Sequence, residues 1–411
     1  MYGRRPAYII CFGIYVFANL GLALQNSYGA LMALRCFQSM GSSATIALSS
    51  ATVADLVTRA ERGKFIGYAA MGVTLGPALG PVAGGLLTQY LGWRGIFWFL
   101  VILSGTLFVI MLAFLPETCR NIVGNGSVLP PWWNMSLVQY VKARRRSEEE
   151  KAAAAAQTDT LQRGKKRPNP FAALKILLER EGGVTLGCGS LLASGYFMVL
   201  TTLSVQLSER FGFSPVKVGL CYLPLGFGTL SSRWTIGHLL DWNFRRWARK
   251  LGKTIDVNKQ QNLDEFPIEK IRLQISICAI YVSSVAVIAY GWTMQAHASL
   301  AGIEVSLFFM GLFFSGAMNA INTLIVDTHP ESPATAVAAN NLFRCLVSSA
   351  ATAIALPLIN RIGMGWTSVC IAAVWLCFSP LLWIVMFKGA GWRQADMAKK
   401  ARKAQEAEQK V

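Results

Sequence analysis

Ten long apolar runs, almost free of charge, constrain this chain more than any other feature. They fall at about 7–25, 28–54, 66–88, 94–115, 184–206, 217–240, 272–292, 298–326, 334–358 and 364–387. Each reaches the length of roughly 20 residues at which an α-helix crosses a hydrocarbon core. In lipid every backbone N–H and C=O needs a partner within the segment. A helix supplies those partners and a lone strand does not. The alternating pattern of a membrane barrel is absent. The chain is therefore read as an all-α polytopic membrane protein. Its 15% charged residues and mean hydropathy of +0.41 fit that reading, since soluble domains carry about 25% charged residues.

The net charge of +18 could suggest nucleic acid, but its distribution argues otherwise. With residues 1–6 placed in the cytosol, the connections between helices alternate inside and outside. Of 39 Lys and Arg, four fall outside (Arg94, Arg210, Lys217, Arg361), three lie within helices (Arg35, Arg233, Arg344), and the other 32 lie inside. This is the positive-inside bias that sets orientation. Both termini are expected in the cytosol, the bilayer is the expected partner, and nucleic acid is not. The nine Cys form no CxxC pair, and the three His are scattered. No metal or other cofactor is expected. Sequons at Asn125 and Asn134 fall on the cytosolic side and are expected to be unused.

The expected organisation has four parts. Residues 1–115 form an N-terminal transmembrane half of about four helices, and 116–183 a cytosolic central loop. Residues 184–388 form a C-terminal half of about six helices, and 389–411 a cytosolic tail. A weak internal repeat links the halves. The opening YGRR places Arg4 and Arg5 where Arg245 and Arg246 fall in LLDWNFRR, each just before the next helix. Likewise ATVADL ends the second helix at Asp55, and TLIVDT ends the eighth at Asp327; Gly41 and Gly311 lie 14–16 residues earlier. On this reading residue 1 sits between helices two and three of a twelve-helix plan.

Three stretches carry a family resemblance. The third helix contains GVTLGPALGPVAGGLL, in which Gly76, Gly80, Pro81, Gly84 and Gly85 fit GxxxGPxxGG. Small residues let helix backbones approach closely, and proline bends a helix. Ordinary helix packing would explain the glycines alone. The full pattern resembles the antiporter motif of the major facilitator superfamily. ALRCFQSMGSSATIALSS, with Arg35 and Gln38, resembles that superfamily's motif with an intramembrane arginine. NTLIVDTHPESPATAVAANNLFRCLVSSA, together with LPETCRNIVGNGS and GHLLDWNFRR, resembles the fungal drug:proton antiporter family of twelve-spanning exporters. The resemblance implies a major facilitator fold of two helical halves and an export function. The family has two helices ahead of this start and an aspartate before its GRR, a position that would precede Met1.

Charge at bilayer depth is costly, about 2.5–3.5 kcal/mol per group on insertion scales, so each instance needs a reason. Arg35 and Arg344 lie in helices that would line the central cavity of such a fold. An arginine there can fork onto a carboxylate; it can equally cap helix carbonyls. Asn340 and Asn341 lie one turn from Arg344. Arg35, Gln38, Asn319, Asn341 and Arg344 are the candidate substrate residues. Asn322 is a further intramembrane amide that could contact substrate or merely bridge helices. Arg233, two turns from a helix end, is read as snorkelling. Glu304 is the one carboxylate well inside an apolar run and is the candidate proton-coupling group; near the outer end of its helix, it could instead be hydrated. Asp55, Asp241 and Asp327 stand at cytosolic helix ends near Arg59, Arg62, Arg245 or Arg246. The resemblance implies a gating latch there, to which Arg4, Arg5, Asp55, Asp241, Arg245 and Asp327 are assigned. Charged loop ends are the plainer reading.

No phosphate loop, nucleophile elbow or metal cluster occurs in the sequence, and no enzyme activity is expected. The expected activity is export of a small organic molecule, an organic anion or drug-like compound, by proton antiport with alternating access. The protein is expected to be a monomer in the plasma membrane, with a vacuolar or other internal membrane as the alternative. A non-transporting membrane protein and a facilitator without proton coupling are the competing functional readings.

Overall fold

The computed structural model describes residues 3–56, 62–124, 130–144, 176–250, 267–328 and 333–408. All regular structure among these residues is helical. The helices are α1 Arg4–Leu24, α2 Tyr28–Leu56, α3 Arg62–Leu91, α4 Trp93–Phe114, α5 Arg120–Val123 and α6 Leu137–Arg144. They continue with α7 Arg180–Phe211, α8 Pro215–Leu220, α9 Leu223–Lys250, α10 Ile268–Gln295, α11 Leu300–Thr328 and α12 Pro333–Glu408. All ten apolar runs fall on these helices. Six helices among the described residues are long and apolar enough to cross a membrane: α1, α4, α7, α10, α11 and α12.

Local sequence explains where the helices stop. Gly92, at φ 72°, separates α3 from α4. Pro116 disfavours helical backbone at Leu115, which is extended, and α4 ends at Phe114. Gly212, at φ 62°, closes α7 in the left-handed conformation, with its N–H on the Ser208 carbonyl. Pro215 opens α8 just after Ser214 at the N-cap. The run 217–240 is split: a short α8 gives way to α9 around Cys221 and Tyr222. Gly363, at φ 84°, breaks α12 into two legs, so one continuous element accounts for the last two apolar runs.

The chain divides into two compact units, residues 1–72 with 86–169, and residues 73–85 with 170–411. In the first, α1 packs on α2 and on α4. The α1–α2 crossing needs glycine at position 41, where a Cβ would lie 2.8 Å from the Cys11 carbonyl oxygen and the Tyr15 nitrogen. In the second, α7 lies against α12, α10 against α11 and α12, and α9 against α11. Here the α9–α11 crossing uses two glycines: a Cβ on Gly311 would lie 2.4 Å from the Leu225 carbonyl oxygen, and one on Gly228 would lie 2.2 Å from the Phe308 carbonyl oxygen. The repeat seen in the sequence thus has a packing reason. Each unit uses small residues to bring two helix backbones together. The core of the second unit runs through Leu186, Leu203, Ile277, Tyr290, Met310 and Ile321.

Candidate functional site

Two polar clusters lie within apolar helices, one in each unit. In the first unit, the Arg35 guanidinium donates to Gln38 Oε1 at 2.9 Å, one turn along α2. Gln38 is buried, and its Nε2 donates to Asn19 Oδ1 on α1 at 2.7 Å. Asn19, fully buried, donates in turn to the Tyr15 carbonyl at 2.7 Å. Arg35 also sits over the Phe97 ring of α4, 5.4 Å from its centroid. The cluster therefore joins all three packed helices of the unit. It contains no carboxylate.

In the second unit, the Arg344 guanidinium donates to Asn341 Oδ1 at 2.9 Å. Asn340, buried on the same helix, donates from Nδ2 to Asn322 Oδ1 on α11 at 2.6 Å. This pattern parallels the first: an arginine held by an amide three residues away, and a second amide bridging to the neighbouring helix. One feature differs. Arg344 Nε and Asn340 Oδ1 are both buried, and neither has a hydrogen-bond partner among the described residues. Asn319, the remaining candidate amide, is exposed on α11, one turn before Asn322, and its side chain takes no part in these bonds.

Glu304 lies in the first turns of α11, half-buried, in hydrogen-bond contact with the thiol of Cys221 where α8 gives way to α9. Its Oε2 is buried with no partner among the described residues. No cation faces it among the contacts described. This carboxyl is thus free to gain or lose a proton without breaking an ion pair.

At the basic helix ends the ion pairs differ in part from those expected. Arg4 Nε pairs with Asp55 Oδ2 at 3.0 Å, joining the start of α1 to the end of α2. Arg59 and the side chain of Arg62 lie outside the described residues. In the second unit Asp327 pairs with Arg272 of α10, at 3.4 Å. The repeat therefore equates Arg4–Asp55 with Arg272–Asp327, and Arg272 rather than Arg245 or Arg246 stands where Arg4 stands. Asp241 and Arg245 are both exposed, and no ion pair joins them among the described residues. Both groups are solvated on one face of α9, and exposed pairs at this spacing gain little from closing.

Sequence reasoning missed a second acid–base connection in each unit. The Glu117 carboxylate accepts the backbone N–H groups of Arg4 at 2.8 Å and Arg5 at 3.1 Å, capping the positive end of α1. The Arg5 guanidinium donates to the Leu112 carbonyl at 3.0 Å, near the end of α4. In the second unit the acid is on the other partner: Glu269, in the first turn of α10, pairs with Arg393 of α12 at 3.1 Å. Both are buried. Asn19 was also missed, although a lone amide inside an apolar helix is a legible signal.

The glycine motif of α3 separates into two roles. A Cβ on Gly85 would lie 2.4 Å from the Pro215 carbonyl oxygen, so this position needs glycine. On α8, Gly219 makes the reciprocal approach to the Pro81 carbonyl oxygen. Gly76, Gly80 and Gly84 have open space where a Cβ would go. Pro77 and Pro81 both lie inside the helix.

Residues 1–353 match the sequence profile of the Major Facilitator Superfamily. The chain belongs to that superfamily. It is 46% identical to the MFS-type transporter R5 of a Phoma species over 97% of this chain and 75% of that protein. It is 34% identical to Citrate exporter 1 of Aspergillus niger, over 96% of this chain and 75% of that protein. The fold is likewise similar to a partially occluded, inward-open structure of the xylose transporter XylE from E. coli. That superposition has a TM-score of 0.58 at 14% identity, covering 93% of this chain and 81% of the other. The protein is thus an all-helical major facilitator, a membrane transporter by family, whose relatives carry small molecules.

Proposed function

We propose that this transporter exports a small organic anion in exchange for protons, as a member of the fungal drug:proton antiporter branch of the superfamily. The observation that carries the proposal is Arg344: a permanent charge set among Asn322, Asn340 and Asn341, with a buried Nε that no described residue accepts from. A guanidinium with an unused donor matches a carboxylate, which takes two parallel hydrogen bonds from it. The similarity to a citrate exporter supports an anionic cargo.

Arg35, Gln38, Asn19 and Asn319 are assigned supporting contacts. Glu304 carries the exchanged proton, because an acid without a cationic partner can cycle between its two forms. Arg4–Asp55 and Arg272–Asp327 form and break as access alternates, with Gly85 at a fixed helix crossing. The expected setting is a monomer in the plasma membrane with both termini cytosolic.

The test is flux of labelled citrate, and of a labelled organic cation for contrast, through the full chain in membrane vesicles. Saturable citrate flux whose apparent affinity falls roughly 10- to 100-fold in Arg344→Lys at matched protein level supports the reading. Cation flux without citrate flux would sink it.

A further inference from the structure

A groove of about 230 Å³ runs along the outside of the second unit, between α9 and α10, with Phe313 of α11 at its floor. Its walls are graded. Ile236, Leu239, Ile275 and Val282 form an apolar body, while Asn243, Arg246 and Gln274 form a polar end. From Ile236 to Arg246 the groove follows ten residues of α9, about 15 Å at the helical rise. That is half of a hydrocarbon core of about 30 Å, the depth of one bilayer leaflet.

The polar end has the chemistry of a membrane interface. Arg246 stacks over the exposed Trp242, 5.4 Å from its ring centroid. Aromatic side chains of this kind gather where the bilayer meets water. Stacking occupies the face of a guanidinium and leaves its edge donors free. No carboxylate pairs with Arg246 among the described residues. Arg245, Arg249 and Lys250 continue the positive charge along α9, and Lys270 on α10 reaches the Trp247 ring at 5.1 Å. Of the acids on these two helices, Asp241 is exposed one turn back, and Glu269 is buried against Arg393. The balance at this end is strongly cationic.

We propose that this groove is a binding site for an anionic glycerophospholipid, with one acyl chain along the apolar body and the phosphate on Arg246. An apolar slot of leaflet depth ending in an unpaired guanidinium fits such a lipid better than a free phosphate, which has no use for the slot. It also fits better than a neutral lipid, which has none for the charge. The inference needs only that the second unit spans a bilayer, so it stands or falls apart from the export reading.

Cys278 lines the groove and is exposed, which supplies a probe. The purified full chain in detergent is treated with N-ethylmaleimide, and labelling is read peptide by peptide. The lipids compared are dioleoyl phosphatidylserine and dioleoyl phosphatidylcholine. Phosphatidylserine is expected to slow labelling of Cys278 about fivefold more than phosphatidylcholine does, the fold-change for one basic group against anionic lipid. Labelling of Cys370 and Cys377, exposed in the same unit, should not differ between the two lipids, and the buried Cys188 should stay unlabelled, which reports that the fold is intact. Arg246→Gln should erase the difference between lipids, and Arg246→Lys should restore part of it. Equal protection by both lipids, or a preference that survives Arg246→Gln, overturns the proposal. So does protection that rises with protein concentration without lipid, which would assign the groove to a second copy of the chain.

Discussion

The Arg35 and Arg344 clusters are built alike and satisfied differently. Each holds a guanidinium on an amide three residues away, and each bridges to a neighbouring helix through a second amide. In the first unit the chain of donors ends on a backbone carbonyl: Arg35 to Gln38, Gln38 to Asn19, Asn19 to Tyr15, with Phe97 against an arginine whose side chain is exposed. In the second unit the chain ends with a buried donor and a buried acceptor unused. An unmade buried hydrogen bond costs about 1–3 kcal/mol, a cost that the proposed cargo would recover by completing the bond. The first cluster ties its helices together; on the proposed reading, the second holds its unused donor and acceptor for a ligand.

Four comparisons would break or sharpen this contrast. The largest effect is expected from paired arginine variants. Arg344→Lys removes the planar fork while keeping charge, and should lower anion affinity roughly 10- to 100-fold, the equivalent of about 1.5–3 kcal/mol for a charged hydrogen bond. Arg35→Lys should cost about 1 kcal/mol or less, because its ring contact is at an exposed position. Equal losses in flux assays would erase the distinction between the clusters.

Next comes Glu304→Gln, which keeps the contact to Cys221 but cannot release a proton. A gradient of one pH unit stores about 1.4 kcal/mol per proton, roughly tenfold in accumulation. The variant should lose that tenfold while substrate-for-substrate exchange continues. Retained uphill accumulation would move the proton elsewhere.

Gly311→Val and Gly41→Val compare the helix crossings. Overpacking of this kind costs roughly 1–3 kcal/mol. The larger fall in melting temperature is expected at Gly311, where the approach is 2.4 Å against 2.8 Å at Gly41. The smallest effect is expected at the ion pairs. Arg4→Gln and Arg272→Gln break partly exposed contacts that contribute about 1 kcal/mol or less. Thermal stability should barely move, while the accessibility of cysteines to labelling during transport should shift.

The helices were legible in the sequence because apolar length is a local property, and the ten runs needed no tertiary information. Gly92, Pro116 and Gly212 announce their helix ends for the same reason. The break at Cys221–Tyr222 had a local signal that the reading of one run over 217–240 passed over: Pro224 lacks the N–H that would continue the helix and sits in the first turn of α9. In the clusters, Arg35–Gln38 and Arg344–Asn341 are one-turn spacings that a helix brings together. Asp241–Arg245 has a similar spacing and does not pair, because spacing does not say whether water is excluded. Glu269–Arg393 and Glu117 on the α1 backbone join residues more than a hundred positions apart, and only the packed helices bring them together. Arg272 was overlooked because the repeat was aligned on the Arg-Arg pair of LLDWNFRR, whereas the folded repeat is aligned on the acids at Asp55 and Asp327.

The most direct test of proton-driven anion export uses the full chain in liposomes made acidic inside, with the same labelled anion outside. Protons leaving down their gradient should draw the anion inward to above its external level. A protonophore should abolish that excess, and Glu304→Gln should not show it. Flux that is unchanged by the pH gradient, or that only equalises the anion across the membrane, would contradict the account.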